Sequence, residues 1–458
     1  MHSRSLTPPH AAAALTLVAG IALAWCVPSL FWLGLAALVA AGGLFLAFRH
    51  TAVFCIGWLL VAGTSIEMTL TDLIGPEAFQ PTIAWIKAAE IGLAAMCALR
   101  WGVRPDLCNP AWVFAIMATM GMAHGLYPGL TPADSLRSLI GSVAPFAFCF
   151  VRAPLPWAAA MIRTARWCPF VAVAGGVALA SCGVRPLFIE SGGLRLAGLG
   201  HPAFLAGVCL PAVYAGLIQF YRTGRLSELP LLGVNLLILV LTGARAPLFY
   251  AVAVIGLTLV FVPSPAFPAR WRLLILLTGA AAVPPVLGFM LAGDLASVRL
   301  FNLLGTDVGN LSGREYLWPA FEAASAGSPW FGWGVGAGNV IIPPDGPVAR
   351  LLHTWAAHNE YLRIEVEGGQ LGRALLVIMF VAWVHLKTKR LPASERPIMR
   401  LVFLAFAGHA LTDNVLISTP ACVLFAFAAA VFARGELGGE LGGELGGESS
   451  LPDSRGVA

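Results

Sequence analysis

Residues 202–221 read Pro202-Ala-Phe-Leu-Ala-Gly-Val-Cys-Leu-Pro-Ala-Val-Tyr-Ala-Gly-Leu-Ile-Gln-Phe-Tyr221, a run without a charged side chain. A helix of about 20 apolar residues is long enough to cross the roughly 30 Å hydrocarbon core of a bilayer. Similar runs recur along nearly the whole chain, whose 458 residues are 58% hydrophobic and only 11% charged. The mean hydropathy is +0.82. Soluble domains do not have this composition, so the sequence predicts an all-α, polytopic transmembrane protein.

The apolar runs predict about twelve to fourteen transmembrane helices. The predicted spans are residues 11–27, 29–48, 52–70, 82–99, 110–127, 135–151, 167–184, 202–221, 228–242, 247–262, 272–292, 368–386, 398–412 and 416–433. We divide the chain into N-terminal transmembrane helices (1–184), a second membrane region (185–434) with one long loop (293–364), and a tail (435–458). The tail repeats Gly-Glu-Leu-Gly, which predicts a disordered segment.

The distribution of basic residues predicts the orientation of these helices. Most of the 28 Lys and Arg residues fall in one of the two alternating sets of loops, which is the cytoplasmic set by the positive-inside rule. Both termini are then cytoplasmic, and Arg195, His201, Arg245, Asp413 and the loop 293–364 share the outer, periplasmic face. This grouping predicts a single site on that face. The net charge of +5 does not indicate nucleic-acid binding, because the basic residues are dispersed.

Two arginines have surroundings that suit an anionic ligand. Arg245 follows Thr242-Gly-Ala between two apolar runs, where it is either an interfacial anchor or a guanidinium held at a fixed point. Arg314 begins an amphipathic run that predicts a helix on or near the bilayer surface, with Ser312 as its N-cap and Glu315 in the capping-box position. A helix N-terminus together with an Arg can bind an anion, although a solvated first-turn side chain has the same pattern.

His358 begins the sequence His-Asn-Glu-Tyr-Leu, which predicts a short helix that ends at Gly368-Gly369 before the next span. An imidazole near a helix N-terminus is favoured in the neutral form that accepts a proton, although a lone His is more often structural. A zinc site with His353 is disfavoured, because the spacing is five residues and no HExxH motif is present. No metal or cofactor is therefore predicted.

The segment Phe331–Asn339 alternates glycine with larger residues. Without a preceding strand it does not predict a dinucleotide site. We interpret it as a tight turn held against the membrane by Trp330 and Trp333.

Taken in order, these motifs resemble those of the O-antigen ligase and polymerase superfamily. The motifs that carry the resemblance are Arg195-Leu-Ala-Gly-Leu-Gly-His201-Pro, Thr242-Gly-Ala-Arg245, Ser312-Gly-Arg314 with Trp318, Pro329-Trp-Phe-Gly-Trp-Gly-Val-Gly336, and His358-Asn-Glu-Tyr361-Leu. A long outer loop between two late helices also matches, and the resemblance covers roughly residues 185–415.

The resemblance implies a metal-independent glycosyltransferase with a GT-C-like membrane fold. It would transfer a glycan from a polyprenyl-diphosphate donor to an acceptor hydroxyl at the periplasmic face of the bacterial inner membrane. Attack opposite a diphosphate leaving group predicts inversion at the anomeric carbon. Arg245 and Arg314 would bind the donor diphosphate, and His358 would activate the acceptor hydroxyl. Further candidates for substrate binding are Arg195, His201, Asn359, Tyr361 and Asp413.

The sequence leaves the acceptor open. The motifs fit three acceptors: a sugar of a growing O-antigen or exopolysaccharide, the lipid A-core, and a protein hydroxyl. Transfer of polysaccharide is favoured over protein O-glycosylation. A different class, a multi-pass transporter or lipid flippase, would carry the same polar residues without chemistry. Transporters place ionisable residues near the midplane of repeated halves, whereas here the candidates share one face and no repeat is visible. This placement favours the enzyme.

Overall fold

The computed structural model of the chain describes residues 42–43, 45–190, 193–264, 266–292, 314–344, 346–352 and 354–447. Within these residues, the side chains of 76, 280, 282–292, 314–315, 352 and 436–447 are not described. Over the described residues the fold is mostly α-helical, as the hydropathy predicts. The strands that it contains form one antiparallel hairpin, in which β1 (Phe188–Glu190) pairs with β2 (Leu194–Leu196).

The helices of the described residues are numbered here in chain order. They are α1 (Thr51–Thr64), α2 (Ile66–Ile74), α3 (Phe79–Trp101), α4 (Ala111–His124), α5 (Pro132–Val143), α6 (Leu155–Ser181), α7 (Pro202–Thr223), α8 (Leu229–Leu241), α9 (Arg245–Phe261), α10 (Ala269–Ala292), α11 (Arg314–Gly327), α12 (Pro347–Leu352), α13 (Glu360–Lys389), α14 (Glu395–His409) and α15 (Thr419–Gly447). Short 3₁₀ turns lie at Pro76–Ala78, Ala144–Phe150, Leu226–Glu228 and Ala337–Asn339.

The chain divides into two compact units, Met1–Phe54 and Cys55–Ala458. In the first unit, helical turns at 42–43 and 45–49 and the beginning of α1 are described. The predicted span 11–27 and most of the predicted span 29–48 lie outside the described residues. The candidate site lies in the second unit.

Three of the described helices, α3, α7 and α13, are long and apolar enough to cross a membrane. The pair α1 and α2, bent by 65°, makes a fourth when it is counted as one span. The run 202–221 is among them as α7. The predicted number of twelve to fourteen spans is not confirmed by this criterion. Several predicted runs form shorter helices, such as α4 with 14 residues and α9 with 17, below the roughly 20 residues that a perpendicular span requires.

Breaks in the helices lie at residues with positive φ. Ser65, between α1 and α2, has φ 53°. Gly369 has φ 62° and ψ −168° inside α13, so the break predicted at Gly368-Gly369 is present. The last helix continues to Gly447, into the segment where we predicted disorder.

The glycine-rich segment binds the kink of α13. The kink leaves backbone groups of α13 without partners inside the helix, and the segment supplies these partners. The hydrogen bonds run from Trp333 N to Val366 O (2.9 Å), from Gly334 N to Glu367 O (2.9 Å) and from Gln370 N to Pro329 O (2.8 Å). Gly332, with φ 68°, lies so close that a Cβ there would be 2.5 Å from the Glu367 carbonyl carbon. Glycine is therefore required for close backbone approach.

This arrangement corrects our interpretation of the same turn as held against the membrane by Trp330 and Trp333. Trp333 packs inward, where its Nε1 donates to Ala324 O of α11 at 2.6 Å and its ring meets Tyr127 edge to face. Only Trp330 is exposed. Hydrogen bonds to α11 and α13 hold the turn, because the freed backbone groups of the kink are stronger partners than an apolar surface.

Candidate active site

His358 lies in the connection between α12 and α13 and contacts a residue far along the chain. Its Nδ1 is 3.1 Å from Oδ1 of Asp413, which lies between α14 and α15. Its Nε2 is 3.0 Å from the Thr354 hydroxyl. Both members of the pair are partly accessible, with side-chain exposures of 31% for His358 and 37% for Asp413. The imidazole is therefore fixed on one side and reachable from solvent.

The charge state of Asp413 fixes the tautomer of His358. Burial works to raise the pKa of Asp413, but the hydrogen bond and charge of His358, with the charge of His409 and the Asn414 amide, outweigh it and lower the pKa to about 2. The Asn414 N–H donates to Oδ1 at 2.8 Å. An ionised carboxylate only accepts hydrogen bonds, so Nδ1 of His358 carries the proton and donates it. In the neutral ring, Nε2 is then the nitrogen that carries the lone pair, and it faces the Thr354 hydroxyl.

The backbone at His358 adopts a left-handed conformation, with φ 48°. For a residue with a Cβ this conformation costs about 1 kcal/mol, and such positions are often functional. Neighbours on both sides maintain it. Trp318 Nε1 donates to Ala357 O at 2.8 Å, and the Asn359 side chain caps α13 by accepting from Leu362 N at 3.2 Å.

The helix that begins with Arg314 ends up beside His358. Trp318, whose indole binds Ala357, lies four residues after Arg314 on α11. Four residues of α-helix rise about 6 Å, so the N-terminus of α11 is one turn from the His358 segment. The predicted amphipathic helix is present, with Leu317 and Phe321 buried. The Arg314 side chain is not described, and the predicted cap Ser312 lies outside the described residues.

Arg245 is the exposed first residue of α9. Five residues further on, the Tyr250 ring packs 5.8 Å from the ring of His409, at the end of α14. A Cβ at Gly408 would be only 2.8 Å from Tyr250, so glycine permits this close contact. The N-terminus of α9 therefore lies at the end of the helix bundle where α14 stops, and Asp413 follows four residues after His409. Nε2 of His409 and Oδ2 of Asp413 are 4.0 Å apart.

The other predicted residues have structural contacts of their own. The buried Arg195, on β2, donates through Nε to Thr242 O at 2.7 Å and so holds the turn that precedes Arg245. Nδ1 of His201 accepts from Ala203 N at 3.3 Å and caps α7. The Tyr361 hydroxyl donates to Ala407 O of α14 at 3.0 Å. Contact of these residues with substrate stays a prediction.

Three neighbours of the pair were not among the predicted residues. Thr354 contacts His358, His409 lies beside Asp413, and Glu360 binds the chain around Asp413. Glu360 is part of the His-Asn-Glu-Tyr motif, so its position next to a candidate base was a usable signal. Thr354 and His409 carry no local signal, because only the fold brings them close.

Among the described residues, no group of three or more His, Cys, Asp or Glu side chains is arranged to hold a metal ion. What the site offers is an imidazole whose Nδ1 faces an ionised carboxylate and whose Nε2 faces the Thr354 hydroxyl, and two helices that begin with Arg. These groups suit the removal of a proton from a hydroxyl and the binding of an anion.

The fold is helical, with helices long and apolar enough to cross a membrane. Residues 230–377 match the family model described as O-antigen ligase, which confirms the resemblance to the O-antigen ligase and polymerase superfamily over this part of the chain. The matched region includes Arg245, Arg314 and His358. A comparison with curated proteins gives no match. The family and the apolar helices support a bacterial multi-pass membrane glycosyltransferase of the O-antigen ligase type, with a glycan or lipid-linked substrate.

Proposed function

We propose that the protein transfers a glycan from a polyprenyl-diphosphate donor to an acceptor hydroxyl at the periplasmic face of the bacterial inner membrane. The proposal includes a GT-C-type fold, cytoplasmic termini and a periplasmic loop over residues 293–364. The observation that carries it is the His358–Asp413 pair, in which Nδ1 lies 3.1 Å from Oδ1.

His358 is the general base of the proposed reaction. Asp413 keeps the proton on Nδ1, so that Nε2 can accept a proton from the acceptor. The Thr354 hydroxyl, 3.0 Å from Nε2, marks the position that an acceptor hydroxyl would take. The acceptor oxygen attacks the anomeric carbon while its proton moves to Nε2. The bond from the anomeric carbon to the diphosphate oxygen breaks, and its electron pair leaves with the diphosphate.

Arg245 and Arg314 stabilise the charge that develops on the leaving diphosphate. Each is the first residue of its helix, so the guanidinium and the positive end of the helix dipole act on the same anion. Diphosphate is a good leaving group once its charge is stabilised, so the proposed mechanism needs no metal. Direct attack opposite the leaving group inverts the configuration at the anomeric carbon.

The proposed acceptor is the lipid A-core or a growing O-antigen or exopolysaccharide chain, which makes the activity that of a ligase or a polymerase. A result that shows protein O-glycosylation, or transport without a transfer reaction, would replace the proposed ligase or polymerase activity.

The test is the surface polysaccharide profile, by gel, of a deletion strain of the source bacterium. The strain carries wild type, His358→Ala, Arg245→Ala or Arg314→Ala, each at matched membrane levels. All three variants are expected to fail to restore glycan on its acceptor. Loss of all attached repeats identifies a ligase, and a single attached repeat identifies a polymerase. Full restoration by His358→Ala would contradict the proposed base and favour transport.

A further inference from the structure

Glu360, two residues after His358, binds the chain on both sides of Asp413. Its backbone N–H donates to Ala410 O at 2.8 Å, three residues before Asp413. Its carboxylate Oε1 accepts from Leu416 N at 2.7 Å, three residues after Asp413. One residue therefore joins the start of α13 to both ends of the segment Ala410–Leu416, which we call the aspartate loop.

The second carboxylate oxygen of Glu360 is held by Arg363, whose Nε donates to Oε2 at 2.6 Å. Arg363 also donates to Oε2 of Glu367 at 2.7 Å. All three side chains are at least 96% buried, since their exposures are 2%, 4% and 1%. The guanidinium pairs with the buried charge of Glu360 and fixes the direction of its carboxylate. Without such a partner, a buried carboxylate would be strongly destabilising.

A lysine from another helix holds the end of the same segment of chain. Lys87 of α3 donates through Nζ to Ile417 O at 2.8 Å and to Gly141 O at 2.9 Å. Ile417 directly follows the aspartate loop. The loop has little regular structure of its own, so these side chains from α3 and α13 set its position.

We infer that Glu360 is a positioning residue that sets the distance between Asp413 and His358. The reason is geometric. Glu360 lies two residues after His358 in the chain. It also binds the aspartate loop at Ala410 and at Leu416, three residues before and three residues after Asp413. A shift of about 1 Å in a catalytic group can cost about 100-fold in rate, so contacts that fix the two segments against each other have a functional consequence. The inference rests on the proposed function for its effect on rate, but not for its effect on the loop.

Glu367 provides a matched control. It is equally buried on the same helix and binds the same Arg363, but no hydrogen bond joins its side chain to the aspartate loop in the described part of the chain. Glu360→Ala and Glu367→Ala each leave Arg363 with one carboxylate, so both variants weaken the buried ion pair to a similar degree. Only Glu360→Ala removes the acceptor of Leu416 N–H.

The first measurement is hydrogen exchange by mass spectrometry on the purified full chain in detergent. Glu360→Ala is expected to raise the exchange rate of peptides covering 410–416 by about 10-fold or more, since an amide that loses its acceptor opens more readily. Glu367→Ala is expected to leave these peptides at the wild-type rate. Equal exchange in the two variants would overturn the inference, whatever the activity of the protein. If the Ala variants give too little folded protein, Glu360→Gln and Glu367→Gln replace them. The amide of Glu360→Gln has one acceptor oxygen, so it cannot accept from both Arg363 Nε and Leu416 N, as the carboxylate does.

The second measurement is a double-mutant cycle on the rate of polysaccharide attachment after induction in the deletion strain. Glu360→Ala alone is expected to slow attachment by about 10- to 100-fold. Combined with Asp413→Asn, it is expected to be no slower than Asp413→Asn alone, because its effect passes through Asp413. A residue with a merely structural role would multiply the two losses, and that outcome would overturn the inference. Unchanged attachment in Asp413→Asn together with altered loop exchange in Glu360→Ala would refute the proposed function and leave the positioning intact.

Discussion

His358 and Asp413 are 55 residues apart in the sequence, and Nδ1 of the first lies 3.1 Å from Oδ1 of the second. A whole hairpin of helices, α13 and α14, separates them in the chain. Their contact gives Nδ1 of His358 a carboxylate partner and leaves Nε2, beside the Thr354 hydroxyl, as the nitrogen that the proposed general-base role would use.

Replacing Asp413 tests the role of this contact in catalysis. Asp413→Asn leaves a neutral side chain that can turn either its oxygen or its NH₂ to Nδ1, so the tautomer of His358 is no longer fixed. We expect the transfer rate at saturating donor to fall by about 10- to 100-fold, less than the about 10² to 10⁴ that a general base contributes, because His358 itself stays in place. The KM for the donor should change little. Asp134→Asn, at a carboxylate on the exposed face of α5, is the control, and an equal loss in both variants would contradict the role.

The pH dependence of stability follows from the pKa of Asp413. This pKa is lowered to about 2 in the folded protein, whereas an unperturbed Asp has a pKa of about 3.9. A lowered pKa stabilises the fold above the unfolded value, and this contribution is lost as pH falls through the folded value. The thermal stability difference between wild type and Asp413→Asn in detergent should therefore shrink between about pH 4 and pH 2. Complete loss of the difference already between pH 6 and 5 would show that another group controls it.

Arg245 should act on the donor and not on the acceptor. Arg245→Lys keeps the charge but loses the planar fork that binds two phosphate oxygens at once. We expect a loss of about 10-fold in kcat/KM for the donor, equivalent to about 1.4 kcal/mol, with no change in the acceptor KM. Arg137→Lys, at an exposed Arg of α5 that pairs with Asp134, is the matched control. A change confined to the acceptor KM would exclude diphosphate binding by Arg245.

The close approach of the glycine-rich segment to α13 predicts a large effect at one glycine and none at another. Gly332→Ala places a methyl group 2.5 Å from the backbone of Glu367, at a residue with φ 68°. Overpacking of this kind costs about 1–3 kcal/mol, so we expect a lower unfolding temperature and a lower membrane level. Gly256→Ala, in the middle of α9 with nothing within 4 Å of the added carbon, should be neutral or stabilising. Similar losses in both variants would refute the packing argument.

The sequence predicted the helical class, the break in α13 and the amphipathic helix α11, because each depends on a local pattern of apolar residues or glycine. It also indicated His358, Arg245 and Arg314 through short motifs. It did not predict which long-range partners they meet. Asp413 was proposed only from its side of the membrane, and Thr354 was not considered, since both reach His358 through loops whose course depends on tertiary packing. The glycine-rich turn was assigned to the membrane surface because the backbone groups freed by the kink at Gly369 are not visible in a linear sequence.

The most direct test of the account is a cell-free transfer assay with the purified full chain in lipid vesicles. The vesicles contain the polyprenyl-diphosphate-linked glycan and the lipid acceptor, both extracted from the deletion strain. We predict that wild type forms the attached glycan with an inverted anomeric linkage. His358→Ala should bind the same donor with unchanged affinity but transfer it at least about 100-fold more slowly. Transfer by His358→Ala at the wild-type rate, or a product with retained configuration, would contradict the central claim that His358 activates the acceptor for direct displacement.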